Sequence, residues 1–148
     1  MNPHDIVLTP TVTAGAYSAS DAVGGLLTFA GAGDKNTDHG TVLRLVIVDD
    51  AMQNVALTLW LFNQTFTAMV DNAEWDIADS DNQNCIGAIL VAASDYSAGK
   101  DNSVASVDCN FVYALSGSGT SLYGQLVTAG TPTYAAADDI TVKLTVSE

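Results

Sequence analysis

The sequence predicts an all-β protein, an antiparallel two-sheet sandwich that is jelly-roll-like and has about eight strands. Several segments alternate apolar and polar residues with a period of two, and none longer than two helical turns carries a helical period. The acidic residues are nearly all aspartates, with Glu74 and Glu148 the only glutamates. Aspartate favours turns and strand ends, because its short carboxylate competes for nearby main-chain groups in a helix. Abundant threonine and valine favour strands.

Two of the predicted strands are especially informative. Residues 140–147 have an apolar face and a polar face, which is typical of a strand that covers a core on one side only. Residues 55–62 are apolar on both faces, with Trp60 and Phe62 on the second one. Such a strand is covered on both sides by its own chain, or its second face meets another protein. The remaining strands are predicted at residues 6–13, 24–30, 42–48, 85–92, 104–115 and 121–128.

Turn-forming residues separate these segments, at positions 31–34, 38–40, 49–50, 98–102, 117–119 and 130–132. Residues 71–84 are a longer polar exception, for which we predict a surface position and one helical turn over residues 73–78.

Eight short, evenly spaced strands favour a single jelly-roll domain over residues 1–148. A seven-stranded immunoglobulin-like sandwich is the main alternative. That fold often has a tryptophan between two cysteines in chain order, whereas both tryptophans here precede Cys85. Pro3 and Pro10 also suggest that residues 1–12 form an extended N-terminal arm that pairs with the strand edge of a neighbour.

The charge balance excludes several classes of partner. The net charge is -13, and the four basic residues are scattered, at Lys35, Arg44, Lys100 and Lys143. Because binding to phosphates depends on basic side chains, the sequence predicts no nucleic-acid partner and no anionic membrane partner. The N-terminus does not read as a targeting segment, and the longest apolar run, residues 86–93, is too short to span a membrane. The two lone cysteines, Cys85 and Cys109, favour synthesis in a reducing cytosol.

The acidic stretch at residues 71–81 is the densest candidate site. Asp76, Asp79 and Asp81 suggest a calcium loop, because hard cations bind several oxygen ligands. The loop pattern fails after Asn82, where the further ligands and the turn glycine are missing. A solvated or capping role is favoured, and no metal or cofactor is predicted. The same carboxylates also suggest a glycosidase pair or a calcium-dependent carbohydrate module, although the sequence gives no carboxylate separation.

Catalytic groups are few, so we predict that the protein is not an enzyme and has no catalytic or cofactor-binding residues. His4 near the N-terminus and His39 in a Gly/Asp-rich turn both lie in segments expected to be mobile, and no nucleophile-elbow motif is present. The spacing of Cys85 and Cys109 does not match a zinc site. We expect both to be small buried residues on neighbouring strands, with a disulfide as the open alternative.

Aromatic residues in loops raise the alternative of a sugar-binding platform, for which Trp75, Tyr96 and Tyr134 are the candidates. Such single aromatics more often anchor a loop to its own domain. The apolar second face of residues 55–62 favours a subunit interface instead.

The order of segments resembles a family of small structural proteins of tailed bacteriophages, the capsid decoration or cement proteins. The first half of the resemblance lies in DAVGG (21–25), LTF (27–29), LVIVDD (45–50) and LTLWLF (57–62). The second half lies in residues 71–73, 79–81 and 85–91, then SLYGQLVT (121–128), TPTY (131–134) and DITV (139–142). Together these segments cover residues 17–147. Trp75 and the amide-rich residues 82–84 depart from the family pattern.

The resemblance implies a jelly-roll domain on the outer capsid surface of the virion. It implies a homotrimer that bridges neighbouring capsomers, with the major capsid protein as its partner. No site residues are carried over, because the shared positions are core and turn positions. The alternative is a phage tail or receptor-binding sandwich that binds glycans through Trp75.

Overall fold

Nine strands form two antiparallel sheets in the computed structural model, which describes residues 2–34 and 36–148. Its helical elements are short: α1, Asp79–Asn82, and a 3-10 turn, Ala93–Asp95. Of the helices in the described residues, none has the length and apolar character needed to cross a membrane. The strands are β1 Pro3–Leu8, β2 Ala22–Ala30, β3 His39–Asp49, β4 Leu57–Phe62, β5 Cys85–Val91, β6 Tyr96–Ala98, β7 Ser103–Ala114, β8 Ser121–Thr128 and β9 Ile140–Ser147.

The strand order is that of a jelly roll, so the predicted fold class is confirmed. One sheet has the order β1-β9-β3-β7-β6 and the other β2-β8-β4-β5. The pairs β1-β9, β2-β8, β3-β7 and β4-β5 are nested as in one long hairpin, which is rolled up when β3 also pairs with β9 and β4 with β8. Eight strands in this arrangement define the jelly roll. β6 is an additional short edge strand that the sequence did not predict.

The core lies between the two sheets, and period-two alternation fills it. Val142, Leu144 and Val146 of β9 are fully buried, whereas the residues between them in the strand are partly exposed. Leu59 of β4 and Leu126 of β8 contribute from the opposite sheet. The predicted alternation of residues 140–147 is therefore confirmed.

The N-terminal strand lies earlier than the predicted residues 6–13. Pro10 ends the ladder, since it has no N–H to donate, and it packs against Gly24 instead. A Cβ at Gly24 would lie 2.5 Å from the Pro10 Cβ, and Gly24 has a φ of +76° that favours glycine. β1 itself pairs with β9 of the same chain. The extended arm at residues 1–12 stays a prediction.

The helical turn predicted over residues 73–78 is wrong, because that segment pairs with the edge of β2 instead. Ala22 donates its N–H to the Ala73 carbonyl at 2.8 Å, and Trp75 donates to the Ser20 carbonyl at 2.8 Å. These main-chain bonds extend the segment along the sheet, and the helical turn forms only afterwards, at α1.

Candidate functional site

The second face of β4 is covered by the chain itself, through residues 63–84, which we call the covering loop. Phe62 stacks on Phe66 with ring centroids 3.9 Å apart, and Trp60 packs on Trp75 at 5.5 Å. Phe66 and Trp75 make an edge contact at 6.4 Å. Of the two alternatives for this strand, the structure therefore favours cover by its own chain over cover by another protein.

Asp71 fastens the start of the acidic stretch to the sandwich. Its carboxylate accepts hydrogen bonds from the Tyr17 hydroxyl at 2.7 Å, the Thr13 hydroxyl at 2.6 Å and the Gly24 N–H at 2.6 Å. Burial, together with the hydrogen bond to Asp71, raises the pKa of Tyr17 above its ordinary value. Asp71 is thus a structural acceptor that joins the covering loop to two segments of the N-terminal half.

The other acidic candidates are not brought together as a ligand set. Asp81 accepts the Thr67 N–H at 3.1 Å, and Asp79 begins the exposed turn α1. Asp76 and Glu74 are exposed, and Glu74 is joined to Asp21 only by an isolated main-chain β-bridge. Within residues 2–34 and 36–148, no three His, Cys, Asp or Glu side chains are grouped so that they could hold a metal ion. The exposed Asp76 and Asp79 fit the solvated role predicted for this stretch, whereas α1 has no side-chain cap.

The histidines lie on strands, contrary to the expectation of mobile segments. His4 of β1 bonds the Gly31 carbonyl through Nε2 at 2.9 Å, and His39 begins β3 with Nδ1 3.2 Å from the Asp38 carboxylate. In the part of the chain that the structure describes, neither ring is hydrogen-bonded to a serine, threonine or cysteine side chain. This arrangement does not build a nucleophile with a base.

Cys85 and Cys109 are both free and half-buried. They lie on β5 and β7, which belong to different sheets, so the expectation of neighbouring strands is wrong. β5 and β7 face each other across the core of the jelly roll. Burial raises the pKa of the Cys109 thiol, which disfavours the reactive thiolate.

The three candidate aromatics do not form an exposed platform, because Tyr96 and Tyr134 are packed near Asp49 whereas Trp75 packs on Trp60. Tyr134 is buried and makes an edge contact with Tyr17 at 5.5 Å, while Tyr96 is half-buried at the start of β6. Trp75 alone lines a surface pocket, with Trp60, and the pocket has a volume of about 380 Å³. Its polar lining includes Ser20, Thr58 and Glu74.

Sequence reasoning missed two buried polar anchors, Asp49 and Gln125. The Asp49 carboxylate, fully buried, accepts N–H groups from Ala51, Gln53 and Asn54 at 2.8–3.0 Å. Burial raises its pKa, and the three hydrogen bonds oppose that shift. The signal for Gln125 was available, because an amide interrupts the otherwise apolar run of residues 122–127.

An apolar surface lies on the outer face of the five-stranded sheet. We call it the valine face, formed by Val7, Val46, Val48 and Val104. Val48 is paired with Val104, and Lys143 lies between Val7 and Val46 in the strand register. Val7 is 53% exposed and Val104 41%. Lys143 separates Val7 from the other three valines. Val46, Val48 and Val104 form the grouped apolar part of this face, which favours an interaction surface.

Comparison with known proteins finds no matching family model and no matching curated protein.

Proposed function

We propose that this chain is a non-enzymatic structural protein of a virion. It decorates the outer surface of a tailed-phage capsid, and it stabilises the shell by bridging neighbouring capsomers as a homotrimer whose partner is the major capsid protein. The order of the resembling segments supports the proposal, and so does the jelly-roll fold. Because a fold alone does not define a function, the surface of the sandwich is the more specific support.

The valine face is the observation that carries it. A small protein with a net charge of -13 repels its own copies at long range. Exposed valines on one sheet face provide the short-range contact that association needs. A trimer multiplies weak contacts, because its second and third contacts with a shell form at high effective concentration.

Sedimentation velocity tests the trimer directly. The wild-type chain is expected to sediment as a trimer at tens of micromolar, and Val104→Lys to shift it toward monomer. Val70→Lys is the matched control, because Val70 is 78% exposed in the covering loop, away from the valine face. A wild-type chain that is strictly monomeric at this concentration contradicts the homotrimer.

Capsid binding tests the decoration role. Purified chain is mixed with expanded empty capsids, and both binding and the heat tolerance of the particles are measured. We expect binding to raise heat tolerance, with Val104→Lys weaker than Val70→Lys. Absence of binding, or no change in heat tolerance, contradicts the role.

The pocket at Trp60 and Trp75 favours a second candidate, a tail or receptor-binding sandwich that binds glycans. Half-exposed indole rings beside hydroxyl and carboxylate groups suit a sugar ring, whose faces are apolar and whose edges are polar. Binding of the isolated chain to host cell-surface glycans, lost in Trp75→Ala, would support this candidate. Binding to capsids alone would reject it.

A further inference from the structure

The outer edge of β5 beyond its bulge at Ile86 differs from the other sheet edges in the described part of the chain, because residues 87–91 have no proline, no charged side chain and no further segment bonded to them. β5 pairs only with β4, and no main-chain hydrogen bond joins it to any further described segment. After that bulge, residues 87–91 pair with β4 in an uninterrupted register. An apolar edge of this kind is a template for strand addition.

The other edges each carry a protective feature. β1 begins with Pro3 and carries Asp5, and β6 has only three residues. β2 is bulged after Val23, and its edge is bonded to Ala73 of the covering loop. Proteins block unwanted strand pairing with proline, charge, short strands, bulges and loops. The β5 edge is therefore the sheet edge that is most open to pairing with another strand.

The side chains of β5 suit a strand that continues the sheet. Ile89 and Val91 point into the core, whereas Ala88 and Leu90 face outward, with Leu90 59% exposed. An added strand would extend both faces at once, and it would cover part of Leu90.

Charge identifies the class of occupant. Residues 76–98 contain Asp76, Asp79, Asp81 and Asp95 and no lysine or arginine. Asp79 and Asp81 precede β5 in the chain and Asp95 follows it, so both flanks of the strand are acidic. Asp81 and Asp95 each also accept one main-chain N–H, from Thr67 and Ala92 respectively. A second copy of β5, paired in either direction, would place aspartates beside aspartates at both ends. Like charges at close range disfavour that pairing.

We propose that the β5 edge accepts an extended segment of another protein, with an uncharged apolar centre and lysine or arginine at both ends. Main-chain hydrogen bonds to residues 87–91 would supply affinity, and the basic ends would meet Asp79, Asp81 and Asp95. The inference is independent of the capsid proposal, since it specifies the chemistry of the segment and not the protein that carries it.

Synthetic peptides test the inference with the full chain. The probe alternates valine and threonine and carries two lysines at each end, and binding is followed by NMR amide shifts and exchange at β5. One comparison peptide has glutamate in place of lysine. Another keeps every side chain but is N-methylated at each central residue, so that neither of its edges can donate main-chain hydrogen bonds.

The lysine peptide is expected to shift the amide signals of residues 87–91, and both comparison peptides to bind at least about tenfold more weakly. Leu90→Lys is expected to weaken the lysine peptide to the same extent, while Val112→Lys on β7 makes the same change at a 73% exposed site and leaves binding intact. Equal binding of the N-methylated peptide overturns strand addition. Self-association that Leu90→Lys abolishes also overturns the inference, because the occupant is then a second copy.

Discussion

The side chain of Gln125 on β8 pairs with the main chain of Met69 in the covering loop. Its Oε1 accepts the Met69 N–H at 3.0 Å, and its Nε2 donates to the Met69 carbonyl at 2.8 Å. The same Nε2 donates to the Gly24 carbonyl at 2.9 Å, in the bulge of β2. The fully buried Gln125 amide therefore supplies the covering loop with the hydrogen bonds that a paired strand would otherwise provide.

Replacing Gln125 should release the covering loop. Gln125→Leu is expected to cost about 2–3 kcal/mol, because it leaves buried main-chain groups of Met69 and Gly24 without partners. Chemical denaturation measures the loss, and hydrogen exchange of residues 63–84 should rise. Gln83→Leu is the control, since Gln83 is exposed, and it should change stability by less than about 0.5 kcal/mol. Unchanged exchange in the loop of Gln125→Leu would contradict the anchoring role.

This anchor explains why the second face of β4 was ambiguous in the sequence. The sequence pattern around Trp60 is the same whether a loop of the same chain or another protein covers it. Alternation indicates that the side chain is buried, but it does not identify the covering segment. Phe66 and Trp75 in the polar stretch were the available signal that the chain covers itself. The residue that positions them, Gln125, lies some fifty positions away in the chain.

Trp75 should stabilise the sheet as an aromatic lid on Trp60. Trp75→Ala is expected to cost about 2 kcal/mol, less than a fully buried aromatic residue, because Trp75 is partly exposed. The remaining tryptophan fluorescence, from Trp60 alone, should shift to longer wavelength. Trp75→Phe should retain most of the stability, and an unshifted Trp60 emission in Trp75→Ala would show that the ring does not cover it.

Asp71 should contribute more to stability than its exposed neighbours. Asp71→Asn is expected to cost about 1.5–3 kcal/mol, because a charged acceptor of three hydrogen bonds is replaced by a neutral amide. Asp76→Asn is the control at an exposed position, with an expected effect below about 0.5 kcal/mol. Equal losses in the two variants would mean that net charge, and not the Asp71 contacts, sets the effect.

Calcium should leave the melting midpoint unchanged. The Asp71 carboxylate already accepts three hydrogen bonds, and the Asp81 carboxylate accepts the Thr67 N–H. Both carboxylates therefore stabilise the covering loop. A ligand that binds only the folded state raises the midpoint. Thermal melts in millimolar calcium chloride and in chelator measure the difference directly, and a higher midpoint with calcium would restore the ligand-loop hypothesis.

The parts of the fold that the sequence did not reveal are those set by contacts between distant segments. The strand at residues 140–147 was predictable because its two faces differ in polarity. β6 has three residues, too few to show a period, and it forms only because Tyr96 pairs with Ala105 of β7. The placement of Cys85 and Cys109 on different sheets likewise follows from the rolled topology and not from local pattern.

Alkaline pH should unfold the protein through its buried tyrosines. Tyr113, 3% exposed, donates to the Ala32 carbonyl at 2.6 Å, and burial with a smaller effect of the Glu148 charge raises its pKa to about 12. Burial is also the main cause of the raised pKa of Tyr17, Tyr96 and Tyr134. Because a phenol ionises near pH 10 in the unfolded chain, the stabilisation is complete below about pH 10 and is lost as the pH rises through the folded-state pKa values.

Chemical denaturation across this range measures the decline, and Tyr113→Phe tests its origin. The variant is expected to lose about 1–2 kcal/mol at neutral pH, because the buried Ala32 carbonyl loses its donor. Its stability should then fall less steeply between about pH 10 and 12, since one ionising group is gone. Tyr123→Phe is the control for removal of a hydroxyl from a partly exposed ring, with little expected loss at neutral pH. Stability that stays constant up to about pH 12 would contradict the role of these buried phenols.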